Sequence, residues 1–150
     1  MLIDKNRRAR VVALQVLFSK ALNPTQGSQE EMIAERVKHD EEQIRYANRL
    51  INGVGLRMEE LDAQIEAVLE NWKFSRLAET DKNVLRIGIY ELMNIREPVA
   101  IIMNEAIEIA KEYGDKKSGS FVNGVLDRIR KNLEEAGQLA AIPVSETQRS

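Results

Sequence analysis

The residues best suited to chemistry in this sequence are cations carried on helices, not acid–base pairs or nucleophiles. Lys5, Arg7, Arg8 and Arg10 place four positive charges within six residues. The apolar positions that follow, Val11, Leu14, Phe18 and Ala21, step by three and four, as one face of a helix does. The basic cluster therefore falls on the first turns of a helix that must pack into a core. Charges fixed on a packed helix can read the shape of a polyanion, whereas charges on a loose tail supply little beyond attraction. Taken alone, the cluster fits a solvated helix end as well as a nucleic-acid contact, because basic runs are frequent false positives.

A second basic stripe lies near the other end of the chain. Lys117, Phe121, Gly124, Arg128 and Lys131 follow at steps of four, three, four and three, so they share one side of a helix. Phe121 points about 100° away from Val122 and so lies off the main apolar face. An aromatic ring interleaved with cations, beside a glycine that admits a partner, suits single-stranded nucleic acid, with bases stacked on the ring and phosphates held by Lys and Arg. The competing role for Phe121 is packing against a neighbouring helix at the edge of the core. Two such stripes in one small domain favour RNA.

Other chemistry finds no support. Gly53-Val54-Gly55 lacks the third glycine of a phosphate-cradling loop and lies inside a helical pattern. His39 is the single histidine and cysteine is absent, so a zinc site would have to be mostly carboxylate. No serine or threonine has a nearby base that would activate it. Asn104-Glu105 and Tyr90-Glu91 are polar pairs within apolar helices, where caps and helix contacts are their usual role. The expectation is a binder, not an enzyme, with no cofactor and no metal.

The elements that must position these residues read as helices throughout. The chain has 150 residues, three prolines and eight glycines, with little β-branched alternation, and fits one all-α domain. Asn23 to Ser28 is a break, and Ser28 is placed to cap a short helix from about Gln29. Ile44, Ala47, Ile51, Val54, Met58 and Leu61 form a long amphipathic stripe, with a bend expected near Met58. Trp72 continues that stripe as a core or boundary residue. Asp81 is expected as the N-cap of the next helix, Pro98 as the start of another and Gly114 as its stop. Ser118 opens the last strong helix, and a loose tail is expected from about residue 136.

The net charge of −2 hides a strong segregation. Residues 29–42 carry six acids against Arg36 and Lys38, and residues 57–70 carry five acids against Arg57. Positive charge gathers at 5–10 and 115–131, so one basic face is compatible with an acidic protein. The lack of cysteine fits a reducing compartment, and no apolar run approaches the ~20 residues needed to span a bilayer. With no secretory signal pattern at the start, the expected location is the cytoplasm, without membrane contact.

Several segments together resemble one family. Arg7-Arg8-Ala9-Arg10 with Ala13-Leu14-Gln15, Asp81-Lys82-Asn83-Val84-Leu85-Arg86-Ile87, Tyr90-Glu91-Leu92, Asn104 to Lys111 and Phe121-Val122-Asn123-Gly124-Val125-Leu126-Asp127 are similar to motifs of the bacterial NusB transcription antitermination factors. They occur in the family's order from residue 7 to about 131. The resemblance implies about seven helices in two packed bundles and a non-catalytic role. It implies binding of boxA-type single-stranded RNA together with ribosomal protein NusE, in the service of RNA polymerase on ribosomal RNA operons. Carried over by position, the RNA contacts fall on Arg7, Arg8 and Arg10, on Gln15 and Phe18, and on Phe121; Lys5, Lys117 and Arg128 join them from the charge pattern. The NusE side is expected around residues 79–104, with Asp81 as a contact. Ser118-Gly119-Ser120 departs from the family's usual Ser-His-Lys and removes a basic side chain beside Phe121. The RNA-binding part of a ribosomal-RNA cytosine methyltransferase, which is NusB-like, and a purely protein–protein helical module are the alternatives. Monomer and homodimer both remain open at this level.

Overall fold

The computed structural model of the chain describes residues 4–24, 29–38 and 40–143. Among the described residues seven α-helices form: α1 (Arg7–Leu22), α2 (Gln29–Val37), α3 (Glu41–Leu56), α4 (Met58–Val68), α5 (Glu79–Asn94), α6 (Val99–Tyr113) and α7 (Ser118–Glu135), with a 3-10 turn at Phe74–Arg76. Helices α1 to α3 pack together, as do α4 to α7, and α5 joins the two groups through contacts with α1 and α3. This is the all-α, two-bundle arrangement that the resemblance implies. The cap expected of Ser28 and the position of His39 lie outside the described residues.

Local chemistry explains the helix ends. Asp40 caps α3 by accepting the Gln43 N–H at 3.2 Å, and Glu41 and Glu42 lie favourably in the positive first turn. The long amphipathic stripe breaks at Arg57 into α3 and α4, close to the expected bend. Gly53 lets α3 approach α5, since a Cβ there would lie 2.2 Å from the Tyr90 ring. Gly55 has no such neighbour. Pro98 precedes α6, and the Gly114 N–H closes it on Ala110 O at 2.9 Å. In the turn before α7 the Asp115 Oδ1 accepts the Lys117 N–H at 2.8 Å, and Lys117 is the N-cap of the helix.

Three expectations are corrected here. Helix α5 starts at Glu79 after Ala78, so Asp81 sits within its first turn and is not the N-cap. Of the stripe Val11, Leu14, Phe18, Ala21, helix α1 buries Leu14 fully and Val11 in part. It buries Ala9, Arg10, Val12, Ala13, Leu14, Val16 and Leu17, because α2, α3 and α5 enclose it on several sides and leave Phe18 and Ala21 outside. The segment after α7, expected loose from about 136, is bonded back as far as Ile142. The N–H groups of Ala140 and Ala141 both donate to Leu92 O, and Ile142 exchanges backbone hydrogen bonds with Glu97 and Val99. Those bonds satisfy carbonyl and amide groups at the α5–α6 junction that would otherwise lack partners.

Helix α5 is the axis of the fold, buried without interruption from Asn83 to Leu92. Its polar members are matched internally: Arg86 makes two bonds to Asp62, at 2.7 and 2.9 Å, and one to Asn83. Phe74 lies beneath the cations of Lys82 and Arg86. No helix among the described residues is long and apolar enough to cross a membrane.

Candidate nucleic-acid interface

The arginine run divides by direction. Arg10 points inward and is 1% exposed. Its Nε bonds both carboxylate oxygens of Glu91, at 2.9 and 3.1 Å, while the two terminal nitrogens reach Asp4 (2.7 Å), Glu105 (3.1 Å) and Glu97 (3.1 Å). Tyr46 donates its hydroxyl proton to the same Glu91. Burial alone would lower the Arg10 pKa, but the Glu91 charge and the bond to Asp4 more than offset it and raise it. Burial pushes the Glu91 carboxyl up, and Arg10 opposes that rise. Arg10 was expected at an RNA surface; it is instead a core cation, fully used by carboxylates and closed to a ligand.

Arg7 is intermediate, one-fifth exposed and held by both oxygens of Glu105 at 2.8 and 2.5 Å. Arg8 faces solvent, where its guanidinium bonds the Arg36 carbonyl at the end of α2 (3.3 Å). Among the described residues neither Arg8 nor Lys5 makes an ion pair. From Arg8 a groove runs along the outer face of α1. Its first part is lined by Lys5, Arg7, Arg8, Gln15, Arg36 and Tyr113. Gln15 and Tyr113 also line the next part, with Phe18, Leu22 and Thr80. Phe18, 36% exposed, therefore lies on the groove and outside the core.

A third depression lies where the N-terminal ends of α5 and α7 meet, at Asp81, the residue after Thr80. Trp72, Arg76, Asp81, Lys117, Ser118 and Phe121 line it. Phe121 is half-buried, so both roles weighed for it apply: one part packs on the core and the rest is open to the groove. α1 packs mainly on α2, α3 and α5 and reaches α6 through Glu105, whereas α7 packs mainly on α4, α5 and α6.

Two further corrections concern this end. Arg128, the other cation expected on the α7 stripe, is bound to Glu70 at 2.7 Å, and Lys131 pairs with Asp127 at 3.2 Å. Two of the stripe's three cations are thus paired with local carboxylates, and Lys117 is its open cation. Asp81, expected towards a protein partner, lies in the Phe121 depression and is 8% exposed. Burial pushes its carboxyl up, the Ser118 side chain works against that, and the Asp115 charge adds to it. Its Oδ1 is the one buried side-chain polar atom without a partner among the described residues.

Sequence reasoning missed Trp72, Arg76, Arg36 and Tyr113. Trp72 was expected in the core or at its boundary and is 61% exposed. The signal was present in Trp72-Lys73-Phe74-Ser75-Arg76, which interleaves aromatics with cations just as α7 does.

The NusB family profile matches residues 7–131, nearly the whole described chain. The chain belongs to the NusB family. It is 41% identical over 133 residues to the transcription antitermination protein NusB of Bdellovibrio bacteriovorus, covering 87% of this chain and 98% of that one. Among solved structures it is similar to T. maritima NusB, with a TM-score of 0.76, 36% identity and coverage of 87% of this chain and 93% of that one. A crystal structure of the antitermination factors NusB and NusE in complex with double-stranded RNA gives a TM-score of 0.76 at 29% identity, with coverage of 84% and 96%. The family comprises RNA-binding antitermination factors and not enzymes.

Proposed function

We propose that this chain binds boxA-type single-stranded RNA along the groove from Arg8 to Phe121, together with NusE, and carries it to the transcription elongation complex of RNA polymerase. The supporting observation is a set of three depressions: the first two share Gln15, Arg36 and Tyr113 and hold Arg8 and Phe18, and the third, at Asp81 next to Thr80 in the chain, holds Trp72 and Phe121. Lys5, Arg8, Arg36 and Lys117 attract phosphates, and their contribution falls as salt rises. Phe18, Phe121 and Trp72 offer ring faces on which unpaired bases stack.

NusE accompanies NusB in the solved complex, and here its side is placed on what residues 79–104 leave exposed. That excludes the buried centre of α5 and leaves the α5–α6 corner with Arg96, Ala100 and Asn104. Titration of labelled boxA RNA with and without NusE, across a salt series, tests the proposal. Arg8→Ala and Phe121→Asp should each weaken binding while the fold persists, and unchanged affinity in both variants would overturn it. Molar mass recorded in the same titration tells whether two copies cover the groove before RNA arrives.

A further inference from the structure

The basic surface does not end at α1. Residues 43–57 contain Arg45, Arg49 and Arg57 and no acid, between the two acid-rich stretches on either side. In the fold Arg45 and Arg49 lie one turn apart on the outer face of α3, about 6 Å along its axis. Both line a shallow depression with Lys5, Glu42 and Tyr46. Farther along, Arg49 and Arg57 converge on Asn94, the first bonding its carbonyl at 3.3 Å and the second its side-chain oxygen at 2.7 Å.

These cations differ from those of α7. Arg128, Arg130 and Lys131 are each matched by a carboxylate within 4 Å. Among the described residues Lys5, Arg45, Arg49 and Arg57 make no ion pair. Glu91 is held by Arg10 and Tyr46, and Asp4 and Glu97 by Arg10, while Glu41 and Glu42 precede Arg45 by one turn of α3 without pairing with it. Glu42 remains as the carboxylate lining the depression. Like charges left together on one face repel, and the repulsion is relieved by a polyanion.

Lys5 connects this face to the groove, since it lines both the Arg8 end of the groove and the α3 depression. We propose that the α3 face, through Arg45 and Arg49, holds the phosphate backbone of RNA that flanks the element bound in the groove. The inference rests on the groove reading for its direction, because the flanking strand leaves the groove at Arg8 and turns over Lys5 onto α3. The one aromatic residue lining the depression, Tyr46, is partly buried and gives its hydroxyl to Glu91, so contacts here are chiefly to phosphates and the flank is held whatever its sequence.

The test compares a short boxA-type RNA with the same RNA extended by an unstructured flank at one end or the other. Wild-type protein should bind one extended RNA about ten-fold more tightly than the short one at low salt. Arg45→Glu/Arg49→Glu should leave the short RNA's affinity within about two-fold and abolish the gain from the flank. The slope of log affinity against log salt should fall by about 1.4 for the extended RNA, as expected for two lost single-strand phosphate contacts. Arg45→Gln/Arg49→Gln, which adds no negative charge, should lose the same gain if direct contact is the cause. No gain from either flank, or a gain that survives both variants, overturns the inference. If the short RNA fails to bind wild-type protein, the groove reading falls. An extended RNA that then still binds, and is lost on changing Arg45 and Arg49, keeps the α3 site.

Discussion

Arg8 and Arg10 stand two residues apart in one basic run, and the fold gives them opposite tasks. Two residues on a helix are separated by about 200°, so one side chain faces out when the other faces in. Arg10 enters the interior, where carboxylates from α5 and α6 use every direction of its guanidinium. Arg8 stays outside with a backbone carbonyl as its hydrogen-bond partner and a charge still available. The same contrast recurs on α7, where Lys117 is open and Arg128 is closed by Glu70. A cation is usable for recognition only when the fold has not already matched it.

The largest effect should come from breaking the inner half of this contrast. Arg10→Ala strands Glu91 without its cation and leaves Glu105 with Arg7 alone, and a buried pair broken on one side costs about 3–5 kcal/mol. Urea unfolding measures it, and a loss under about 1 kcal/mol would show that the network matters little. On the outer half, Phe121→Asp should weaken RNA binding by about ten- to a hundred-fold, the range for loss of one stacking platform. The urea midpoint of that variant should move far less than that of Arg10→Ala. Trp72→Ala should cost RNA affinity about ten-fold with stability unchanged, since the ring is 61% exposed. An equal loss of stability would return Trp72 to a packing role.

Arg8→Ala should reduce affinity several-fold and lower the salt slope by about 0.7, as one single-strand phosphate contact does. A pH effect at Asp81 should be smaller still. Its folded pKa is raised above the ordinary 3.8 by burial. The cost of ionising it therefore sets in as pH rises above 3.8 and is complete above its folded value. Asp81→Asn should flatten that part of the stability curve, and thermal melts from acid to neutral pH would show parallel curves if Asp81 were not buried.

Much of the fold was legible in short-range signals. Asp40, Pro98 and Gly114 each act within a few residues of themselves, so their effect can be read locally. Phe121 was separable from Val122 because the angle between neighbours on a helix is fixed. Trp72 escaped because it lies past the end of α4, where helical phase no longer tells inside from outside. The α3 arginines escaped because charge was weighed by stretch, and their connection to Lys5 spans most of the first bundle.

By itself the sequence determined a helical chain of the NusB family, the positions of its principal breaks, and two stripes where cations and aromatics alternate. Those properties depend on residue type and spacing along one helix. Tertiary structure alone decided which cations are spent and which are free. Arg10 meets Glu91 across 81 residues of chain, and Arg7 meets Glu105 across 98. Pairing at such separations depends on how α5 and α6 dock against α1, and helical periodicity within α1 carries no information about that.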